Sequence, residues 1–474
     1  MRSTPWRLLA VVGLAAAVLP AGGARAAAVP GPTPTAHCGA GSLPEKTQGR
    51  APLSDVATGR YAKGYTCNVT EISHLGASGG YRVERYVDKA GHECAYWDST
   101  LLWPTSIPDE KAEGPGTYVL DMHDPAHPVV TDILRTPAMQ SPHESLRLNQ
   151  KRGLLVADMA NPAADPAFVD VYDVSQDCRT PVLQSDFPIG VLGHEGGFSP
   201  DGKTFWVASL YAHTIAAVDL TNPKVPNLLW VSYAYSSHGV SISDDGNTLF
   251  MAEAGYNDSD FHGLTVLDVS QIQKRVANPV VPIVSRLTWP NVSTPQNATP
   301  FVSRGHSYLL ETDEFGSDAK IGAARIIDID NLRKPRIVSN IRLAVNQPGI
   351  QPEIQADPGN DQPFQGYQGH YCSLPSRVDP TIIACSFIMS GLRVFDIADV
   401  FHPREIAYFN KPIVPGSVPN QPMRAGGFAM SAPAYDEKTG DIWFTDGNRG
   451  FSVIRLTGTA RRAHFARTTV LPGN

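Results

Sequence analysis

At 474 residues, with 18% charged side chains, a formal charge of −7 and no basic cluster, the chain can bury a large core. It lacks the basic patch or stripe that nucleic-acid binding requires. Gly 41 and Pro 40 are high counts, as expected of many short strands joined by turns. No strong amphipathic helix stands out.

Residues 1–26 read as a secretory leader. Arg2 and Arg7 form a positive start, Leu8 to Leu19 an apolar run, and Ala24-Arg25-Ala26 a cleavage site. The apolar run is too short to span a bilayer and no other stretch qualifies. The expectation is therefore an exported, soluble chain with no integral membrane segment, secreted or periplasmic, and a monomer. Residues 27–60 are rich in Pro, Ala, Gly and Thr and aperiodic, which predicts a linker.

Six cysteines in an exported chain suggest disulfides. Cys372 and Cys385 flank the turn Arg377 to Pro380 at equal distances, so a hairpin sets them opposite each other. Cys67 with Cys94 is the second expected pair, and Cys38 with Cys178 follows by elimination.

From Tyr61 onward one element recurs: a β-favouring strand ending in aspartate, a polar turn, and usually a proline. It reads YVLDMHDPAHPVV at 118–130, VDVYDVSQDCRTPVL at 169–183, IAAVDLTNPKVPNLL at 215–229, LTVLDVSQIQKRVANPVV at 264–281, ARIIDIDNLRKPRIV at 324–338 and LRVFDIADVFHPREI at 392–406. A seventh copy, FSVIRLTG at 451–458, lacks the aspartate, as terminal repeats often do. Asp121, Asp173, Asp219, Asp268, Asp328 and Asp396 are spaced like four-stranded blades with loop insertions. Each aspartate is expected to cap the turn after it. The fold class is all-β, a seven-bladed β-propeller over 61–474. The copies resemble LVIVD repeats, a propeller class of mostly exported proteins with no single activity, and the resemblance covers about 61–460. In blade layout they are also similar to WD-repeat and YVTN-type propellers, without the full signatures. One blade should be completed from both chain ends, its outer strand coming from 464–471 or from Tyr65 to Ile72.

Histidine recurs at the entrance to each blade's first strand: His74, His143, His194, His238 and His370. Near the end of the next strand stand Asp98, Asp158, Ser209, Glu253 and Ser386. In the fifth unit the same spacing puts Gln296 in the slot, paired with Glu311, and leaves His306 at the opposite end of the blade. In the seventh it gives Arg424 with Asp446. First strands line a propeller's channel, so these side chains should ring one mouth. Converging imidazoles can hold copper, iron or zinc, with carboxylates fixing the tautomer, and other propeller enzymes hold such metals with channel histidines, a likeness of fold only. The competing expectation is structural: each histidine bonds the acid of its own blade, as the Gly-His dipeptides of WD repeats do. Two functions follow. The first is a non-catalytic scaffold that binds a small molecule or protein at the channel mouth. The alternative is a metal-dependent oxidase or lyase, with the histidines as ligands and Glu144 or Glu195 as acid/base.

No nucleophile elbow, zincin motif or P-loop is present. Glycosylation acceptors read at Asn68, Asn257, Asn291 and Asn297. The stretch Ala344 to Gln368, long for a propeller connection, reads as disordered or as a lid.

Overall fold

The computed structural model describes residues 29–465 except 77–78, 100–115, 161–166, 256–259, 315–319, 361–365, 412–428 and 447–449. The leader, Arg424 and Asn257 lie outside the described residues. Seven antiparallel sheets follow one another along the chain. The first blade comprises Val83–Val87, Glu93–Asp98, Thr117–Asp121 and Val129–Leu134. The next four run in the same order: the second opens on Arg147–Asn149, the third on Glu195–Phe198, the fourth on Ser237–Ile242 and the fifth on Thr294–Ser303. The sixth opens on Tyr371–Ser373 and carries Tyr65–Cys67 as a fifth, outermost strand. The seventh opens on Ala434–Asp436, and its outermost strand is Val69–Leu75. The chain is a seven-bladed β-propeller, and its ring is closed by the N-terminal run. At the other chain end, Gly458–Phe465 is a helix.

The repeat is explained by its aspartate. In each of the first six blades the carboxylate ending the third strand accepts the backbone N–H two residues on, at 2.8–3.0 Å, from Asp121 with His123 to Asp396 with Ala398. The same six blades carry a bulge between their third and fourth strands. A bulge bends and twists the outer strand, which makes an exposed edge a poor template for further pairing.

The core lies between blades, where period-two side chains of adjacent sheets interdigitate. Trp97, Trp206 and Trp443 are its largest fully buried members. Truncating such a residue to alanine costs about 3–5 kcal/mol.

Three expectations are corrected. Residues 29–60 do not behave as a linker: they pack along blades five and six, where Glu45 pairs with the buried Arg393 at 2.7 Å and Gln48 donates to Glu405 at 3.0 Å. Arg50, bonded to Asp357 at 2.6 Å, ties this strap to the stretch 344–360, which forms short helical turns rather than a disordered loop. Cys372–Cys385 forms as expected, but the other pairs are Cys38–Cys67 and Cys94–Cys178. The strap brings Cys38 to Cys67, and blade stacking brings the turn that ends in Cys178 against Cys94. Among the glycosylation acceptors, Asn68 and Asn297 are buried with their amides donated internally, so the folded chain offers neither.

Among the described residues no helix is long and apolar enough to cross a membrane, and three disulfides suit an oxidising, extracytoplasmic compartment. Non-reducing peptide mapping should recover Cys38–Cys67 and Cys94–Cys178 and no Cys67–Cys94 peptide. Cys94→Ser should cost roughly 2–5 kcal/mol in denaturant unfolding.

Candidate metal centre

The first strands run away from one rim of the channel, and the residues at their entrances converge there. His143 and Glu144 sit in the turn into blade two, His194 immediately before blade three, His238 in the first strand of blade four, and His370 immediately before blade six. His143 adopts φ 51°, a left-handed conformation that a non-glycine residue keeps only where its surroundings enforce it. Its ring stacks on Tyr81, centroids 4.2 Å apart, and lies 4.3 Å from the ring of His194, which is 4.7 Å from that of His238.

The Glu144 carboxylate lies among these rings. Its Oε2 is 3.1 Å from Nε2 of His194, 3.6 Å from Nε2 of His238 and 3.9 Å from Nδ1 of His143. Its Oε1 is 3.1 Å from Nε2 of His370. A second carboxylate, Glu314 at the end of blade five's second strand, approaches Nε2 of His370 at 3.4 Å and of His238 at 3.6 Å. Glu144 is held from behind: its N–H donates to the His194 carbonyl at 3.2 Å, and its own carbonyl accepts from Arg82 Nε at 3.0 Å.

Two of the imidazoles are oriented from outside. His238 Nδ1 donates to the Pro295 carbonyl at 3.0 Å, and His370 Nδ1 donates to the Met430 carbonyl. A proton fixed on Nδ1 leaves Nε2 with a lone pair pointing into the cluster, the usual device for orienting a metal-binding histidine. His194 Nε2, His370 Nε2, His143 Nδ1 and Glu144 Oε2 are all buried without a hydrogen-bond partner among the described residues. They are close to one another but not aligned as donor and acceptor. Donors that share one ion at bond lengths of about 2.1 Å sit roughly 3.0–3.5 Å apart; His194 and His370 stand at that spacing from Glu144, and His238 and His143 stand farther off at 3.6 and 3.9 Å. The donor atoms of His143, Glu144 and His194 lie within 4.8 Å of one another.

Electrostatics agree. Burial opposes ionisation of Glu144, yet the imidazoles of His194 and His143 hold its carboxyl well below the usual range. Burial pushes His238 down to about 3, with the charge at His194 adding to it. Burial also acts against a charged His370, but Glu144 and Glu314 raise it to about 10. The cluster without a metal is thus a site of negative potential that holds positive charge.

Among the described residues, His143, His194, His238 and His370 do not bond the strand-end residues of their own blades; their contacts run across blades instead. Glu253 accepts from Thr265 and Arg286 rather than from His238. Glu311 pairs with Arg325 inside blade five. Asp158 is buried against Gly193 and makes no bond to His143. Ser209 accepts from Ala212 N–H, and Ser386 donates to the Ser431 carbonyl. The register explains the departure: Ser237 faces Glu253, and His238 is the extra residue of a bulge, which re-aims a side chain. Gln296 occupies the same bulge in blade five. It lines the channel as expected, but its amide donates to the Tyr371 hydroxyl at 2.6 Å and does not join the imidazoles. His306 is exposed at the opposite end of the blade, bonded to Asp330, also as expected.

His74 is a correction, because it lies exposed on the outermost strand of blade seven, far from the axis in the sheet order. Blade one brings Tyr81 to the cluster in its place, its N–H donating to Asp98 at 3.2 Å. Asp446 ends the second strand of blade seven and is buried. Glu195, the other expected acid/base, lies one layer away from the imidazoles, and burial pushes its carboxyl up to about 7. Its Oε1 accepts from Arg82, Arg147 and Asn297, below the histidines. Tyr81 and Glu314 lie outside the histidine spacing; the acidic run Glu311, Asp313 and Glu314 marks the strand in the sequence, but no spacing singles out Glu314.

No family model and no curated protein matches the sequence. Among solved structures, the chain is similar to the β-propeller domain of Cps50 (Swd1) from Myceliophteria thermophila, at 11% identity and TM-score 0.52, over 81% of this chain and 98% of that one. It is also similar to the periplasmic gluconolactonase PpgL of Pseudomonas aeruginosa, at 15% identity and TM-score 0.46, over 73% and 93%. At such identities the likeness shows the propeller fold alone.

Close packing beneath the cluster gives a direct test. A Cβ on Gly239 would lie 1.6 Å from Glu195 Oε2 and 2.2 Å from the Gln296 carbonyl. Gly239→Ala should therefore lose about 1–3 kcal/mol of stability, read as a lower denaturant midpoint at unchanged slope.

Proposed function

We propose that the channel mouth holds one transition-metal ion and that the protein is an exported metal-dependent enzyme rather than a bare scaffold. The carrying observation is the convergence of four buried or half-buried imidazoles on the Glu144 carboxylate, with the far nitrogens of His238 and His370 already fixed by backbone carbonyls. One carboxylate shared by four imidazoles from four blades leaves ring nitrogens without a full complement of hydrogen bonds, which a bound cation would supply. His194, His238 and His370 would bind through Nε2, and His143 and Glu144 would complete the set. Imidazoles with one carboxylate suit copper, iron or zinc. When bound, such an ion supplies Lewis acidity or a redox centre at the channel axis.

The chain's own residues define how a substrate would meet that ion. His143, with its side chain 17% exposed, and Glu314 at 10% are the accessible members; His194, His238, His370 and Glu144 lie behind them. Glu314 is raised above the ordinary carboxylate range by burial. Standing at the more exposed side of the cluster, it is placed to exchange a proton with a substrate at the mouth. Glu314 thus takes the acid/base role in place of Glu195. Export rests on the leader at 1–26 together with the three disulfides, and membership of the LVIVD class rests on the strand–aspartate repeat.

Elemental analysis of natively purified protein should find close to one transition-metal ion per chain. His194→Ala and His370→Ala should each lose about tenfold or more of the bound metal while remaining folded by circular dichroism. Substoichiometric metal in the unaltered protein, or metal retained in both variants, would overturn the reading. Glu314→Gln should keep the metal.

A further inference from the structure

The channel has a second end. A cavity of about 470 Å³ opens on the face opposite the histidines, lined by the far portions of the first strands and the turns that follow them. A layer of side chains separates it from the metal cluster. Arg82 and Arg147 both donate to Oε1 of Glu195, which also accepts from Asn297 at 2.7 Å. Arg82 lies over the Tyr371 ring, 4.4 Å from its centroid. These residues form the inner wall of the cavity.

The charge in that wall is not balanced by direct pairing. Two guanidinium groups share one carboxylate oxygen. Arg82 commits Nε to the Glu144 carbonyl and Nη2 to Glu195, while Arg147 commits Nε to the Gly196 carbonyl and Nη2 to Glu195. Nη1 of each has no protein partner among the described residues, and neither is sealed from the cavity. Glu84, also in the wall, feels both arginines without a close ion pair to either, and burial pushes its carboxyl up to about 7. At the rim, Arg85 is already paired with Glu93, and Arg377 with Asp244 at 3.0 Å. The unspent donors are therefore at the bottom of the cavity, beside the polar side chains of Asn297, Thr299 and Ser373.

We propose that this lower mouth is a binding site for a small, polar organic acid, its carboxylate received by the Nη1 groups of Arg82 and Arg147. A carboxylate fits because two guanidiniums offer planar donors to its two oxygens, and charge-assisted bonds in a recessed site are strong. The volume suits a molecule of several heavy atoms, within the range of small-ligand pockets. Hydroxyls on the ligand would meet Asn297, Thr299 and Ser373. The site is independent of the metal reading, since its inner wall lies between the two.

Isothermal titration with malate, against its uncharged diamide, tests the proposal on the chelator-treated and the metal-loaded protein. Malate should bind both forms alike, and the diamide should bind at least about tenfold more weakly. Arg147→Gln should weaken malate by about tenfold or more, with the metal content unchanged. Glu84→Gln, which removes the opposing carboxylate without touching Glu195, should tighten it. Equal binding of malate and diamide, binding seen only with metal present, or malate affinity unchanged in Arg147→Gln would overturn the proposal. Should Arg147→Gln fail to fold, looser or unchanged malate binding in Glu84→Gln would overturn it instead. If the protein holds no metal, the malate, diamide and variant comparisons stay readable on the metal-free form.

Discussion

Everything in this molecule depends on closing the ring. Blades two to five contain no strand that could shield the flanks of blades one and seven, and an open propeller would expose two whole sheet faces. Pairing of Val69–Leu75 with Gly450–Leu456 removes that exposure and fixes seven first strands around one axis. The pairing joins segments nearly the whole chain apart, so its entropy cost is met only once the intervening blades have stacked. The strap over residues 29–60 and the Cys38–Cys67 bond hold the closing segment to the sixth blade.

Once the axis is fixed, its two ends take different chemistry. A strand entrance points inward with few backbone partners, so the upper end gathers imidazoles around Glu144. One layer lower, the same strands present arginines, and a single carboxylate, Glu195, joins blades one, two and five. That shared acid carries structural weight well beyond its own blade, and Gly239 is glycine because the Glu195 carboxylate occupies the place of a Cβ. Burying carboxylates in a channel is costly unless cations face them. Above, the positive charge comes from imidazolium groups; below, from guanidinium groups.

How much of this was legible in the sequence follows the range of the interactions. The aspartate caps span two residues, and all six are where the repeat puts them. Cys372–Cys385 spans one hairpin and pairs as symmetry about the turn requires. The number of blades follows from the repeat; Gln296 does hold the slot, but its expected partner Glu311 faces Ala298, and the residue that matches Glu253 in register is Asp313, because this strand runs on to Glu314. The other two disulfides failed because each depends on which loop a neighbouring blade or the strap brings alongside. His74 failed because its strand, though near blade one in sequence, belongs to blade seven in space.

The sequence by itself determined that the chain builds blades and that His143, His194, His238 and His370 stand at their entrances, because both are set by local strand period and turn chemistry. Only the tertiary structure decided where those side chains point. A bulge turns His238 away from its in-blade acid, carbonyls of neighbouring segments fix the rings of His238 and His370, and Glu144 becomes the common centre. Glu314 and Tyr81 join for the same reason. Closing a ring brings residues from six blades to one point, and no spacing along a chain encodes a distance across its axis.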